Sequence, residues 1–279
     1  MKAPAFAYAK PRTLGEAFDL LDLHGEGARI LAGGQSLVAM LNLRLAAPEI
    51  LIDITGIEGL AGIAVSGNQV RIGALTRHRE IEQSPEIALH CPLLAQAAPH
   101  IAHVAIRNSG TFGGSLALAD PAAEWPACCL ALDATFRLVS RSGERQVPAR
   151  DFFKGLFATD LRAGELVTGV DIPKVAGQRA VFMELSRRRG DYGLVGVAAL
   201  ARAESGRLSD IRLAYLGGGD RPILARHAMK AAEDRASAAD LAVELAKDLS
   251  PMADLENKPA TKLHLANVLT GRALAALAA

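Results

Sequence analysis

The sequence predicts an α+β protein with two domains, and three observations support this prediction. Residues 1–56 alternate helix-like and strand-like segments, which is typical of a small α/β unit. Residues 57–175 contain shorter strand-like runs separated by helical stretches. Residues 176–279 contain three strand-like runs followed by an Ala- and Leu-rich helical region, which favours one sheet covered by helices. We therefore predict a first domain over 1–175, with subdomains 1–56 and 57–175, and a second over 176–279.

The composition excludes several classes of protein. A net charge of +1 over 279 residues gives no general nucleic-acid surface, and no apolar run is long enough to cross a membrane. The start of the chain lacks the apolar core of a signal peptide, so a cytoplasmic location is expected. Cys91, Cys128 and Cys129 are too few and badly spaced for a disulfide framework, a zinc site or an iron–sulfur cluster. Any iron–sulfur centre that serves this protein is expected on another chain.

The first helix has the clearest signals in the chain. Thr13 and Glu16 have the spacing of a capping box, and Gly25 and Gly27 end the apolar stripe that follows. The next predicted elements are a strand over 28–32, a helix over 37–45 and a strand over 50–54.

Further along, the turn Ser66-Gly67-Asn68 separates two short strands and predicts a β-hairpin. Helices are predicted over 77–83, 87–98 and 121–132, and strands over 135–139, 144–147 and 165–172. Beyond the boundary predicted at 174–178, the second domain has predicted strands over 180–186, 195–203 and 211–216, and helices from residue 225 onwards.

The first glycine loop, residues 32–37, is the segment Ala-Gly-Gly-Gln-Ser-Leu between a strand and a helix. Adjacent glycines permit positive φ and close approach to a ligand, and Ser36 is a natural helix N-cap. Successive backbone N–H groups at such a turn can bind a diphosphate. An ordinary tight connection between strand and helix fits this loop equally well.

The second glycine segment, residues 111–115, reads Thr-Phe-Gly-Gly-Ser and lies in a stretch rich in small polar residues. Thr111 and Ser115 offer hydroxyl groups, and a carboxylate at Glu124 could accept hydrogen bonds from ribityl or ribose hydroxyls. The alternative is a surface loop followed by a solvated charge at a helix start. Two such segments in one chain favour a dinucleotide gripped by both.

Three stretches resemble the FAD-binding subunits of molybdenum hydroxylases, the family of carbon monoxide dehydrogenase and xanthine dehydrogenase. They are LAGGQSLVAMLNLRLAAPEILIDI, IRNSGTFGGSLALADPAAEWPA and FMELSRRRGDYGLVGVAA, and they follow the order and spacing of the family. The resemblance covers nearly the whole chain. It implies an FAD-binding domain of the p-cresol methylhydroxylase and vanillyl-alcohol oxidase type, followed by a C-terminal α+β domain with a three-stranded antiparallel sheet and helices.

The resemblance also implies the cofactor-binding residues. In the family, the first loop binds the pyrophosphate through backbone amides, and the second segment binds the diphosphate and the ribityl region. Ile101 matches a position that lies against the cofactor, and Val167 matches one whose backbone can meet the flavin edge. Tyr192 matches a residue that can cover one face of the isoalloxazine. The predicted FAD-binding residues are Ala32, Gly33, Gly34, Gln35, Ser36, Leu37, Val38, Ala39, Ile101, Thr111, Phe112, Gly113, Gly114, Ser115, Glu124, Val167, Met183, Asp191 and Tyr192, with no catalytic residue and no metal ligand.

One position departs from the family pattern. Members similar to xanthine dehydrogenase carry a Lys where this sequence is aligned with Met183. A methionine cannot supply that cation near the flavin, so NAD as the external electron acceptor is in doubt. Arg187, Arg188 and Arg189 are interpreted either as a cationic patch near the flavin or as a solvated strand end.

The function that the resemblance implies is electron transfer within a heterotrimer, usually doubled. A large subunit would hydroxylate the substrate at a molybdenum cofactor, and a small subunit with [2Fe–2S] clusters would pass electrons to FAD in this chain. Two alternatives remain: a self-sufficient FAD-dependent oxidase or reductase on the same scaffold, and a non-enzymatic scaffold that has lost FAD. The absence of an evident proton donor disfavours the first, and the intact glycines disfavour the second.

Overall fold

The computed structural model describes residues 2–279, and its N-terminal region is a small α/β unit. Three parallel strands form a sheet in the order β1-β3-β2. The Thr13 side chain accepts from the Glu16 amide at 3.1 Å, which begins α1 as the capping pattern predicts. The elements are β1 (Ala7–Ala9), α1 (Leu14–His24), β2 (Ala28–Leu31), α2 (Leu37–Asn42) and β3 (Ile50–Asp53).

The middle region is built on a five-stranded antiparallel sheet in the order β4-β5-β10-β6-β7. Helix α8 packs in its core, and all eight residues of that helix are buried. The elements are β4 (Ile63–Ser66), β5 (Gln69–Gly73), α3 (His78–Gln83), α4 (Pro85–His90), α5 (Pro92–Ala97), α6 (Val104–Arg107), α7 (Phe112–Leu118), α8 (Glu124–Ala131), β6 (Thr135–Ser140), β7 (Gly143–Pro148), α9 (Ala149–Phe152), β8 (Phe153–Gly155), β9 (Ala158–Thr159) and β10 (Leu166–Pro173).

The C-terminal region is an antiparallel sheet between two layers of side chains. One face packs on the core of the middle region and the other on three helices. The elements are β11 (Arg179–Ser186), β12 (Gly193–Glu204), β13 (Arg207–Leu216), β14 (Ile223–Leu224), α10 (Arg226–Glu233), α11 (Ala238–Asp248) and α12 (Pro259–Ala278). Within residues 2–279, no helix has both the length and the apolar character needed to cross a bilayer.

The α+β class is confirmed, and several predicted elements need correction. The predicted helix over 87–98 is two helices, because Pro92 opens a new one at α5. The helix predicted from residue 121 begins at Glu124. The sheet predicted with three strands has a fourth, β14, whose two residues are too short to leave a pattern in the sequence.

Candidate functional site

The first glycine loop presents a row of unpaired backbone amides. In the described chain, the N–H groups of residues 33–37 donate to no protein acceptor, whereas the carbonyls of Gly34 and Ser36 accept from the next turn. Gly34 has φ of 72°, which only glycine adopts without strain. The Ser36 side chain makes no capping hydrogen bond, so the predicted cap is absent and its hydroxyl is unpaired. The loop therefore has donors available for an anionic ligand.

The two glycine-rich segments meet in space. A β-carbon added to Gly33 would lie 2.3 Å from the carbonyl oxygen of Ser109 and 2.8 Å from Cα of Gly110. A β-carbon added to Gly114 would lie 3.6 Å from Cβ of Ala32. The structure thus brings the first loop against the second segment and its flank, although about 75 residues of chain separate them. At Gly33, this contact and not a positive φ excludes a side chain.

The second glycine segment is the start of helix α7, not the predicted loop. Thr111 caps the helix by accepting from the Gly114 amide at 3.3 Å, and the Ser115 amide donates to the Thr111 carbonyl. The Phe112 and Gly113 amides donate to Thr76 and Ala74 at 2.8 Å each. These amides are therefore already paired, in contrast to those of the first loop.

The side chains of the second segment divide into structural and exposed groups. Phe112 is fully buried and packs edge-on against Trp125, with ring centroids 5.4 Å apart. Phe112 and Gly113 consequently have no free amide to donate to a ligand, and the Phe112 ring is part of the core. The Ser115 hydroxyl has no partner among the described residues. Ser115 and the proton of the Thr111 hydroxyl are what this segment can offer to a bound molecule.

A buried histidine lies under the second segment. His78 accepts from Nε1 of Trp125 at 3.0 Å, and a β-carbon on Gly110 would lie 2.7 Å from its Nε2. Burial, and then the charge of Arg107, lowers the pKa of His78 to about 4, so this imidazole is neutral at physiological pH. The sequence analysis assigned no role to His78, because a lone histidine at a helix start carries no distinctive signal.

Ile101 is held in place by an arginine that the sequence analysis also missed. Arg107 donates to the carbonyls of Ile101 and Ala102 at 3.0 and 3.1 Å, and it forms an ion pair with Glu82 at 2.9 Å. Ala102 has φ of 42°, a conformation that these hydrogen bonds stabilise. The buried guanidinium thus fixes the segment that carries Ile101, the residue predicted to lie against the flavin.

The third motif reaches the same region from the C-terminal sheet. A β-carbon on Gly190, whose φ is 88°, would lie 2.5 Å from Cε1 of His103, so the loop between β11 and β12 packs directly on the segment after Ile101. Tyr192 in this loop is 71% exposed. Desolvation, and then the charges of Asp120 and Glu124, raises the pKa of Tyr192. An exposed aromatic ring at this position is available to stack on a ligand.

Buried carboxyls gather beside the tyrosine. Glu124 is only 8% exposed, which excludes the solvated charge considered as an alternative. Its pKa is raised to about 7, mainly by burial and further by Asp120. Glu184 on β11 has a pKa raised to about 8, by burial and then by Glu124. The sequence analysis found no proton donor, and the structure supplies two groups that can hold a proton near neutral pH.

Met183 and Glu184 lie on opposite faces of the C-terminal sheet. Met183 packs with the apolar cluster under the C-terminal helices, whereas Phe182 belongs to the core of the middle region. The Met183 side chain, which was predicted to bind the cofactor, therefore points away from the face that carries Glu184. The alternation of side chains along a strand was the signal that could have placed Glu184 on the correct face.

Val167, Asp191 and Val38 are three further residues of the predicted set. Val167 is buried in β10, which packs against α7. Asp191 forms an exposed ion pair with Arg187 at 3.6 Å. Val38 is 45% exposed beside the first loop. Arg189 lies near His100, whose pKa is lowered by burial and by the charge of Arg189. Of the three arginines, Arg189 is thus the one that faces the site.

A cavity of about 320 Å³ lies where these segments meet, a volume in the ~300–1,000 Å³ range of small-molecule pockets. Its walls come from the segment before Ile101 and from the end of β11 with the following loop. A larger cavity of about 580 Å³ lies elsewhere, between α9 and β14. Neither cavity is lined by a predicted site residue itself, but the smaller one is lined by the residues next to Ile101, Met183 and Asp191. The smaller cavity is lined by Pro99, His100, Glu184, Leu185, Ser186, Arg189 and Gly190.

Two known family descriptions together match nearly the whole chain. Residues 4–175 match the family described as FAD binding domain in molybdopterin dehydrogenase. The chain belongs to this family. Residues 180–277 of the FAD subunit match the CO dehydrogenase flavoprotein C-terminal domain. The chain is therefore an oxidoreductase subunit that carries an FAD-binding domain.

Individual relatives cover nearly the full length of the FAD subunit. It is 39% identical to the 6-hydroxypseudooxynicotine dehydrogenase complex subunit alpha of Paenarthrobacter nicotinovorans, over 99% of this chain and 95% of that one. It is 38% identical to the glyceraldehyde dehydrogenase medium chain of Sulfolobus acidocaldarius, over 98% of each. A solved chain of carbon monoxide dehydrogenase from Hydrogenophaga pseudoflava superposes with a TM-score of 0.94 at 36% identity, over 99% and 98% of the two chains.

These relatives belong to multi-subunit dehydrogenases named for unrelated substrates, namely a nicotine derivative, glyceraldehyde and carbon monoxide. A medium chain of one architecture thus occurs with different substrates. The FAD subunit alone therefore does not identify the substrate of its complex.

Proposed function

We propose that this chain holds one FAD and transfers electrons for a molybdenum hydroxylase. The FAD receives electrons from [2Fe–2S] clusters of a small partner subunit and passes them to an external acceptor, while a large partner subunit carries the molybdenum cofactor and the substrate site. The assembly is a doubled heterotrimer in the cytoplasm. The domain boundary near residue 175 separates the FAD-binding domain from the C-terminal flavoprotein domain.

The observation that carries the proposal is the row of free amides in the first glycine loop, placed against the second segment. The amides of residues 33–37 lack protein acceptors, and the absence of a β-carbon on Gly33 lets the second segment approach. Such a cradle fits the diphosphate of FAD, since unpaired N–H groups bind anionic oxygens. The residues present therefore fit the cofactor of the family.

The remaining predicted residues take the following roles. Ser36 and Ser115 donate hydroxyl hydrogen bonds to the diphosphate or the ribityl chain. Glu124 accepts from hydroxyl groups of the cofactor when it is ionised. Ile101, Val167 and Tyr192 enclose the isoalloxazine ring, and Tyr192 covers one of its faces. Met183 is left out of this set because its side chain lies under the C-terminal helices.

The chemistry supplied by bound FAD is the acceptance of electrons and their release one or two at a time. The protein binds the diphosphate, orients the ring and excludes water through Ile101 and Val167. Residue 183 faces the C-terminal helices, so its identity does not decide the external acceptor, and NAD stays in doubt on the family pattern alone. Glu184, which faces the site, adds no positive charge.

Purification of the native complex tests the proposal. We expect the chain to purify with a large and a small partner, with one FAD per chain, and with molybdenum and iron in the partners. Flavin in the isolated chain together with steady-state turnover of a reduced substrate would instead favour the self-sufficient flavoenzyme. A colourless chain would contradict the assignment of FAD.

A further inference from the structure

The Glu184 side chain is the one buried polar group in residues 2–279 whose side-chain oxygen has no hydrogen-bond partner. That atom, Oε2, is inaccessible to solvent although the residue as a whole is half-buried. A buried carboxyl oxygen without a partner costs free energy of about 1–3 kcal/mol, more when the group is charged. A carboxyl that keeps its proton is less costly to bury than a carboxylate, and this is one explanation of the unpartnered oxygen.

Glu184 lies at a cavity next to residues of the proposed FAD site. It lines the cavity of about 320 Å³, together with Pro99 and His100, which directly precede Ile101. Its stem packs over Gly193, where an added β-carbon would lie 3.1 Å from Cγ and Cδ of Glu184. The loop that carries Tyr192 forms another wall of this cavity. Ile101 and Tyr192, two of the three residues proposed to enclose the flavin ring, are therefore close in sequence to the walls of the cavity that Glu184 lines.

The charges around Glu184 keep its proton in place. Helix α8 presents Glu124 and the buried thiol of Cys128. Burial raises the pKa of this thiol, and Cys129 and both carboxyls raise it further. His100, whose pKa is lowered by burial and by Arg189, is neutral at physiological pH. Arg189 is exposed. The charge that acts on the pKa of Glu184 is thus that of another carboxyl, Glu124, which opposes ionisation.

We propose that Glu184 remains protonated at neutral pH and donates a hydrogen bond to the isoalloxazine ring, thereby setting how the reduction potential of the flavin depends on pH. This inference rests on the proposed binding of FAD. A neutral carboxylic acid has one O–H donor, whereas its carboxylate has none. The ring edge has carbonyl oxygens and ring nitrogens as acceptors, and they become more electron-rich when the flavin is reduced. The protonated acid thus favours the reduced flavin, and the carboxylate opposes it.

The test compares the FAD-loaded wild-type chain with Glu184→Gln, whose amide keeps a donor but does not titrate. Redox titrations with mediator dyes at pH 6 and pH 9 give the flavin midpoint potential of each protein. We expect equal potentials at pH 6 and a lower potential in the wild type at pH 9. The absorbance spectrum of the oxidised flavin should shift with pH around 8 in the wild type only, since the pKa of Glu184 is about 8.

Two further variants separate this role from a structural one. Glu184→Leu removes the donor, so its potential should lie below that of the wild type at pH 6. Glu204→Gln, at the exposed end of β12, is the matched control and should behave as the wild type at both pH values.

Other outcomes overturn the inference. A bound flavin whose spectrum and potential respond to pH identically in wild type and Glu184→Gln would leave FAD binding intact and remove Glu184 from the ring. A folded Glu184→Gln chain that no longer retains FAD would also contradict it, because the amide preserves the donor. A colourless wild-type chain would contradict the proposed function itself.

Discussion

The two glycine-rich segments use glycine for different purposes. In the first loop, the amides of residues 33–37 are free, and Gly33 permits contact with Ser109. In the second segment, the amides of Phe112 and Gly113 are paired with Thr76 and Ala74. Similar motifs thus differ in structure: the first leaves its backbone donors without acceptors in residues 2–279, and the second begins a helix that carries hydroxyl groups.

The largest expected effect concerns the first loop. Gly33→Ala should abolish FAD retention, because a β-carbon would lie 2.3 Å from the Ser109 carbonyl oxygen and would force the loop away from the second segment. The measurement is the flavin-to-protein ratio after gel filtration. Gly15→Ala is the control in the same region, since its β-carbon would meet nothing closer than 3.8 Å. Full flavin content in Gly33→Ala would show that the cradle lies elsewhere.

The second largest effect is a loss of stability at low pH, caused by His78, which lies under the second segment. The pKa of His78 is about 4 in the folded state and about 6.5 in the unfolded chain. Its neutral form is favoured by folding, so the free energy of unfolding should fall as pH decreases from about 6.5 to 4. At ~1.36 kcal/mol per pKa unit the loss approaches ~3 kcal/mol.

Denaturant unfolding of the chain between pH 7 and pH 4.5 measures this loss. His78→Gln, which can accept from Trp125 without titrating, should flatten that part of the profile. An unchanged pH dependence in this variant would mean that His78 does not couple protonation to folding.

A smaller effect is expected at Gly113, where the role is structural. Gly113→Ala would place a β-carbon 2.4 Å from Cβ of Ala74, and such overpacking typically costs ~1–3 kcal/mol. We expect a lower thermal midpoint with FAD still bound at saturating concentration. Loss of FAD binding at unchanged stability would contradict the structural role assigned to Gly113.

The smallest effects concern the hydroxyl groups. Ser36→Ala and Ser115→Ala should each weaken FAD binding by about threefold to tenfold, since a single hydrogen bond contributes ~0.5–1.5 kcal/mol. Within residues 2–279 neither hydroxyl has a hydrogen-bond partner, so the stability of the apoprotein should not change. Fluorescence titration of apoprotein with FAD measures both affinities. A drop in apoprotein stability would indicate an internal role.

The fold was largely predictable because its signals are local. Capping at Thr13 begins α1 as predicted, and runs of apolar residues located every long strand. The short strands β1 and β14 were missed, since their pairing partners are distant and their few residues carry no period. The split at Pro92 was missed because the apolar stripe continues across it.

The sequence predicted the two glycine segments of the candidate site, but it did not predict the buried side chains around them. The meeting of the two glycine segments followed from their composition. The buried groups that support them, His78 and Arg107, are fixed by tertiary contacts that no local pattern records. Glu184 was overlooked because the alignment pointed to Met183, whose side chain faces the other side of the sheet.

The most direct test of the account is amide hydrogen exchange, residue by residue, in the apoprotein and in the FAD-loaded chain. We predict that the amides of residues 33–37 exchange rapidly without FAD and become protected when it binds. Those of Phe112 and Gly113 should be protected in both states, because they are already paired within the protein. Unchanged exchange in the first loop on FAD binding, or new protection confined to the second segment, would contradict the account.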